Sequence, residues 1–398
     1  MMLPKPLRYT IETLLVNSLV LSSLYQLIVY LANRRFWRQP PPPPAEAAPS
    51  ISVVVPLHEK TLDTLALLHV MAISGPSDDY ELLLVVEDEG APAYPAAAAI
   101  AGHYPATARI VASGPAGAHA SPMHDFDAGY RAARGDLIAF VDPNLHMKAE
   151  LWNAALAVLE DPSIGAAFAP PLYLEPERRS SSPVPTGGEM ITALHVNHAR
   201  TAGLPFAALS GRVKSMTAGF MLIRRSVIEQ AGGLLYLLDR AAEDVALGSL
   251  VRENGYQIAT IPVPAPIVPP PQSFNEATAT LLRRLIVSRA AALPEFIAWP
   301  FTNPLTVGFM LGLITEREGR WWGRRTWWGF VALRMIVAHQ LDRLRFGRAF
   351  TWTAYAQLFM LDTFISPALW ARALIERTFV CRGRTYEIAQ GGKTRRIE

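Results

Sequence analysis

Apolar and polar positions along this chain follow two regimes. Between Glu12 and Arg34 run 21 residues without a charge, 13–33, rich in Leu, Val, Ile and Tyr. As a helix rising ~1.5 Å per residue they reach roughly 30 Å, the thickness of a bilayer's hydrocarbon core. From residue 50 the apolar runs become short and alternate with helical spacing. Residues 51–57 read as a β-branched strand, 63–73 as a helix, and 81–88 as a buried strand that ends in acids. An Ala-rich helix over 95–102, a short strand over 109–112 and a helix over 126–134 follow. Residues 137–141 form a wholly apolar strand that stops abruptly at Asp142, Pro143 and Asn144, and 151–160 are helical again. This alternation predicts an α/β fold with a mostly parallel sheet covered by helices on both faces.

In such sheets ligands bind outside the carboxyl ends of the strands, and two strands end there in an acid, Asp88 and Asp142. Asp-Pro-Asn is also good turn chemistry, so Asp142 has both readings. A further acidic pair, Glu243-Asp244, opens a helix closed by Asn254-Gly255. Acids in a first turn complement the helix dipole, which accounts for Glu243 as well as a functional role does.

The 13–33 segment has a rival reading as a cleaved signal peptide. That reading needs a shorter apolar core and a small-residue cleavage site, whereas Arg34, Arg35, Phe36, Trp37 and Arg38 follow directly. Positive charge with Trp marks a cytoplasmic boundary. Residues 1–38 are therefore expected to be an uncleaved anchor with its amino terminus outside. Residues 39–49, with Pro40 to Pro44, form a stiff spacer before a cytoplasmic domain over 50–272. Residues 273–294 set Leu281, Leu282, Leu285 and Ile286 beside Arg283, Arg284 and Arg289, a basic amphipathic helix fit for the headgroup plane. Arg283 and Arg284 are either snorkelling cations or a diphosphate site. Residues 295–370 hold further apolar stretches, 296–314, 326–339 and 349–361. The first, broken by Pro300 and Pro304, either crosses the bilayer or dips in and returns. Basic loops flank these stretches on both sides, so charge alone does not orient them. Residues 371–398 are a basic tail.

Composition narrows the function. Of 398 residues 51% are hydrophobic, which makes membrane segments expected, and 37 basic against 34 acidic residues leave +3. No basic stripe with interleaved aromatics occurs, so nucleic acid is not an expected partner. The one cysteine, Cys381, excludes an internal disulfide and a cysteine metal cluster. His195 and His198 are three apart, a spacing that is usually incidental.

Several short motifs stand in a telling order. They are Val86-Glu87-Asp88-Glu89-Gly90-Ala91-Pro92-Ala93, then Gly129-Tyr130 with Gly135-Asp136-Leu137-Ile138 and Asp142. Thr217-Ala218-Gly219-Phe220-Met221-Leu222-Ile223-Arg224-Arg225, Gln230-Ala231-Gly232-Gly233-Leu234 and Ala242-Glu243-Asp244 follow. The ending is Arg382-Gly383-Arg384-Thr385-Tyr386 with Gly391-Gly392. Together they resemble the membrane-bound ceramide glucosyltransferase family, inverting enzymes of the GT-A (nucleotide-diphospho-sugar transferase) fold, related to hopanoid-associated glycosyltransferases. The resemblance implies that fold, flanked by N-terminal and C-terminal transmembrane helices in a bacterial inner membrane. It implies transfer of glucose or a related hexose from a UDP-sugar to a ceramide-like or hopanoid-like lipid hydroxyl, with a divalent metal, Mg2+ or Mn2+. By the same resemblance Asp88 contacts the nucleotide, Pro56 and Leu57 cradle the uracil, and Glu59 touches the nucleoside. Asp142 holds the metal, Glu243 and Arg284 line the nucleotide-sugar site, and Asp244 is the general base. The division is chemically sensible: the leaving diphosphate needs its charge neutralised, and the acceptor alcohol must lose a proton.

Three positions depart from the family pattern. Asn144 stands where many such enzymes carry a second acid, although Mg2+ takes only one or two carboxylates, so Asp142 alone suffices. Pro122 replaces a lysine suited to the diphosphate, for which His124 or an arginine from elsewhere must compensate. Leu281-Leu282-Arg283-Arg284-Leu285 replaces Gln/Arg-x-x-Arg-Trp and keeps only Arg284, which argues against a processive polysaccharide synthase. Loop 175–188, rich in Ser and Pro, is expected to cover the site. A second function class stays open, a non-catalytic relative that binds a lipid or partner. Retention of Asp88, Asp142 and Asp244 speaks against it.

Overall fold

The computed structural model describes residues 5–40, 43, 49–58, 63–115, 117, 122–176, 187–317, 319–381, 384–389 and 391–397. Most of the proline run, Glu59, most of loop 175–188 and Arg382-Gly383 lie outside the described residues.

Nine strands build the soluble part: β1 (Ile51–Pro56), β2 (Tyr80–Val86), β3 (Ala108–Ala112), β4 (Leu137–Val141), β5 (Ile164–Ala169), β6 (Pro171–Tyr173), β7 (Phe220–Arg224), β8 (Gln257–Thr260) and β9 (Ala265–Ile267). Seven form one sheet in the order β3-β2-β1-β4-β7-β5-β8, and β6 pairs with β9. Only β7 runs against its neighbours in the large sheet, so the sheet is mostly parallel.

Successive strand residues point to opposite faces, and both faces here are covered. Val53, Val55, Leu82 and Leu84 pack with Leu68 of α2 (Thr64–Ile73), Ala97 of α3 (Tyr94–His103) and Trp152 of α5 (Ala149–Val158). Val54, Leu83, Val85 and Phe140 meet Met123 and Phe126 of α4 (Met123–Ala132), and Val227 of α8 (Arg225–Gln230). Leu247 and Leu250 of α9 (Glu243–Glu253) complete that face. Gly129 lets α4 lie directly on β1, because a Cβ there would stand 2.2 Å from Val54 Cγ1. Between α5 and α8 in the chain come α6 (Gly187–His195) and α7 (Leu204–Leu209).

The remaining helices are α1 (Lys5–Phe36), α10 (Phe274–Ala291), α11 (Leu293–Ala298), α12 (Pro304–Glu316), α13 (Trp322–Phe346), α14 (Trp352–Met360) and α15 (Ser366–Ile375). Among the described residues two helical stretches, Pro6–Phe36 and Trp352–Ile375, are long and apolar enough to cross a membrane, and α12 follows the stretch Leu293–Thr302 after a 61° bend. Polar contacts show how they run. Glu12, near the start of α1, pairs with Arg320 between α12 and α13. Gln26 Nε2 donates to Thr302 O at 3.1 Å, and Asn33 Oδ1 accepts from Arg345 Nη2 at 2.6 Å. Thus α12 leaves the soluble part and α13 returns to it alongside α1. Trp352–Ile375 behaves differently. Thr351 N, just before it, donates to Glu175 Oε1 at 2.8 Å, and Arg289 of α10 bonds Ala373 O near its other end. Both ends therefore lie against the soluble part.

A final sheet of β10 (Thr378–Cys381), β11 (Arg384–Ile388) and β12 (Thr394–Arg396) closes the chain. It shares an apolar cluster with α10, in which Leu281, Leu282, Leu285 and Ile286 meet Met190, Leu194, Leu358 and Tyr386. The apolar face expected to lie in the headgroup plane is filled by protein.

Candidate active site

Asp142 sits one step beyond β4. Its N–H donates to Gly219 O at 2.9 Å, extending the β4–β7 ladder. Asp142 Oδ1 accepts from Asn144 N at 2.8 Å and from Asn144 Nδ2 at 3.1 Å, and Asn144 O accepts from Val268 N at 2.9 Å. Turn chemistry thus occupies one carboxylate oxygen and leaves Oδ2 without a hydrogen bond among the described residues. Burial raises the Asp142 carboxyl above its ordinary range, opposed by the Asn144 bonds and the charge of Arg284.

Arg284 acts on this acid through its charge, from α10, which is held firmly. Ser273 and Glu276 form a reciprocal cap at its start. There Gly188 lets α6 approach, since a Cβ on it would stand 2.2 Å from Ser273 O. Arg284 bonds the Tyr173 side chain, and its Nη1 is buried with no hydrogen-bond partner among the described residues. Burial pulls its guanidinium below the usual arginine range, and the nearby charges of Arg200 and Arg283 act in the same direction. Neither arginine snorkels: Arg283 Nη1 donates to Cys381 Sγ at 3.0 Å.

Arg200 comes from a π-turn, Val196–Arg200, that ends α6. Such wide turns alter which way side chains face and recur at functional sites. Arg200 Nη2 donates to Asp244 Oδ2 at 2.5 Å, and Asp244 Oδ1 accepts from Val245 N at 2.9 Å. Asp244 is only 3% exposed. Its neighbour Glu243 is pushed up to about 7 by burial and by Asp244, against the pull of Arg200 and Arg283. Asp142, Arg284, Arg200, Arg283, Glu243 and Asp244 therefore form one continuous electrostatic cluster. His195 beside it is buried and held down at about 3 by burial and the arginines, so it stays neutral. His198 is buried too, 3.2 Å from Asp342 Oδ1.

The other expected residues lie further along the same sheet edge. Asp88 is exposed past β2 and binds its own turn, accepting from Gly90 N at 2.7 Å. It stands two strands from β4, on the order of 10 Å by strand spacing, and has no ion pair to the cluster. Pro56 and Leu57 end β1 between them. Leu57 is 1% exposed in the core, so only its backbone faces the edge.

Sequence reasoning missed Arg200, which lies 44 residues from Asp244 and carries no motif. It also missed a group at the ends of β1 and β3. His58 Nε2 lies 3.1 Å from Asp125 Oδ2, and Ser113 Oγ donates to Asp125 Oδ1 at 2.8 Å. His124 Nε2 is 2.9 Å from Ser113 O, engaged with backbone.

A model of glycosyl transferase family 21 matches residues 14–394. The chain belongs to this family. It is a glycosyltransferase of the ceramide glucosyltransferase family with a GT-A fold. Comparison with curated protein sequences gives no match. Among solved structures, this family 21 chain is similar to the mannosyltransferase PcManGT from Pyrobaculum calidifontis in complex with GDP-Man and Mn2+. The identity is 15%, the TM-score 0.52, and 92% of this chain and 98% of that one are covered. Glucosyl-3-phosphoglycerate synthase from Mycobacterium tuberculosis, in complex with Mn2+, UDP and glucosyl-3-phosphoglycerate, matches at 17% identity and TM-score 0.37. That match covers 60% of this chain and 80% of that one.

Proposed function

We propose that this family 21 protein transfers a hexose from a UDP-sugar to a lipid hydroxyl, with inversion, at the cytoplasmic face of a bacterial inner membrane. One observation carries the reading: at the carboxyl edge of the sheet, a carboxylate with one uncommitted oxygen (Asp142) neighbours a buried arginine with an orphaned donor (Arg284). That pairing suits a diphosphate whose charge is shared between a cation and a guanidinium.

A divalent cation, Mg2+ or Mn2+, fits the residues present. Among the described residues no group of three or more His, Cys, Asp or Glu forms a ready cage. Asp142 Oδ2 offers one ligand, and such ions commonly keep waters and take phosphate oxygens for the rest. When bound, the cation supplies neutralisation of the leaving diphosphate.

The chain's own residues do the remainder. Arg284 and Arg283 meet the diphosphate. Asp88, the backbone of Pro56 and Leu57, and Glu59 receive the nucleoside, while Glu243 lines the sugar. Asp244 takes the proton of the acceptor hydroxyl as its oxygen attacks the anomeric carbon and the diphosphate bond breaks, so one displacement inverts the centre. Arg200 orients the Asp244 side chain until then. An acid on the acceptor side favours an alcohol over a phosphate monoester, which arrives charged and needs no base.

The helices support a lipid acceptor. α1 and the α12–α13 hairpin enter the bilayer, with Trp321 and Trp322 exposed at their far end and Leu293, Ile297 and Phe301 exposed near the soluble part. Residues 1–38 are the anchor, 39–49 the linker, 50–272 the catalytic domain, 273–294 the helix bearing Arg284, 295–370 the transmembrane or re-entrant helices and 371–398 the tail. The test is transfer of labelled hexose from UDP-sugars to extracted lipids by the protein in nanodiscs. Wild type labels a lipid in a metal-dependent way and Asp142→Asn does not; equal labelling by both defeats the reading.

A further inference from the structure

The tail after α15 reaches back to the acid pair. Phe379, Tyr386 and Ile388 anchor its small sheet in the apolar cluster of α10. The chain then turns at Gly391 and Gly392, with φ of 83° and 79°, a left-handed conformation suited to glycine. From there it runs along residues 239–241, directly before Glu243 and Asp244. Ala241 N donates to Gly392 O at 2.9 Å, and Arg240 Nη1 donates to Gly391 O at 2.6 Å. Thr394 donates twice to Asp239 O, from N at 2.7 Å and from Oγ1 at 3.0 Å. Lys393 Nζ lies 3.3 Å from Asp239 Oδ2.

The same stretch grips the other half of the site. Gly391 N donates to Ala290 O at 3.0 Å, in the last turn of α10, and Cys381 Sγ accepts from Arg283. Meanwhile α9 lacks a local anchor: its N-cap, Ala242, offers no side-chain cap. The tail is thus the contact that fixes the start of α9, beside Arg200 on Asp244 and the core packing of Leu247 and Leu250.

We propose that residues 391–394 form a positioning strap that sets the acid pair of α9 against the arginines of α10, for the transfer proposed above, on which this inference rests. Thr394 is its pin. The Thr394 N–H faces Asp239 and not β11, so Thr394→Pro removes both Thr394 bonds to Asp239 O while sparing the β11–β12 ladder.

Turnover, donor KM and amide exchange are measured on the full chain in nanodiscs. Thr394→Pro is expected to lower kcat on the order of 10- to 100-fold through misplaced acids. Donor KM stays within about threefold, and exchange over 240–246 accelerates. Thr394→Ser restores wild-type kcat. Thr394→Val, which keeps the N–H and hence the fold if proline does not, shows a smaller kcat loss at unchanged KM. Full kcat in Thr394→Pro despite faster exchange overturns the strap, as do a KM that rises in step with the loss of kcat and an unaltered Thr394→Val. Asp142→Asn, run alongside, reads the transferase assignment separately, because it loses metal-dependent donor binding whatever the strap variants do.

Discussion

Arg284→Met separates a ligand site from a structural ion pair. If Arg284 served the fold, replacing it would cost stability. The structure says the opposite. The guanidinium is penalised by burial and by Arg200 and Arg283, it bonds one side chain, Tyr173, and its Nη1 has no partner among the described residues. Removing one partner of a tight buried ion pair is strongly destabilising, but Arg284 forms no ion pair with Asp142 among the described residues, so its loss forfeits only their longer-range attraction. The lost Tyr173 bond costs about 1 kcal/mol, which relief of repulsion offsets. The charge-assisted contact to the diphosphate, by contrast, is worth ~1.5–3 kcal/mol, on the order of 10- to 100-fold in donor Kd. Thermal unfolding and UDP binding in Mn2+, both on detergent-solubilised protein, read the two quantities independently. The expected result is a midpoint at or above wild type with donor binding weakened by that factor. A clearly lower midpoint with unchanged binding would falsify the assignment.

Three further outcomes follow from the same geometry. Glu243, pushed up to about 7 from an ordinary 4.5, keeps in the folded state a proton that the unfolded chain releases earlier. Its contribution is full below about 4.5 and lost as pH rises through about 7. Wild type should shed on the order of 1–3 kcal/mol of stability between pH 5 and 8, and Glu243→Gln should flatten that slope; parallel profiles would count against it. Asn197, fully buried, clasps the Tyr173 backbone with bonds of 2.9 and 2.8 Å. Asn197→Ala should cost ~2–4 kcal/mol by urea unfolding and weaken donor binding through Tyr173 and Arg284, whereas a loss below about 1 kcal/mol contradicts that link. Finally, Arg317→Cys should react with an impermeant maleimide from the side opposite to Ile397→Cys, since the α12–α13 turn lies at the far end; labelling of both from one side refutes the hairpin.

Much of the soluble core was legible because buried parallel strands are unbroken apolar runs: β1, β2 and β4 lie where their β-branched and Leu-rich stretches stand. Helix limits differ by a few residues, as where α4 begins at Met123, its Pro122 cap suiting an early start. Strand β7 was visible only as a motif, since nothing local to 220–224 says that it runs antiparallel between β4 and β5. Asp142 and Asp244 were legible as acids at element ends. Arg200 was not, because a π-turn directs it and its partner is remote. Trp352–Ile375 shows the limit of hydropathy, which reports how apolar a helix is and not where its ends dock. α10 shows the converse: its amphipathic pattern was real, but protein covers the apolar face.

The most direct measurement is a cryo-EM structure in nanodiscs with UDP and Mg2+. The account predicts the ion at about 2.1 Å from Asp142 Oδ2, a phosphate oxygen within about 3 Å of Arg284 Nη1, and Asp244 facing the open side above the diphosphate. Nucleotide bound away from Asp142, for instance in the cavity lined by Asp136, Arg224 and Arg225 at the opposite edge of the sheet, would contradict it.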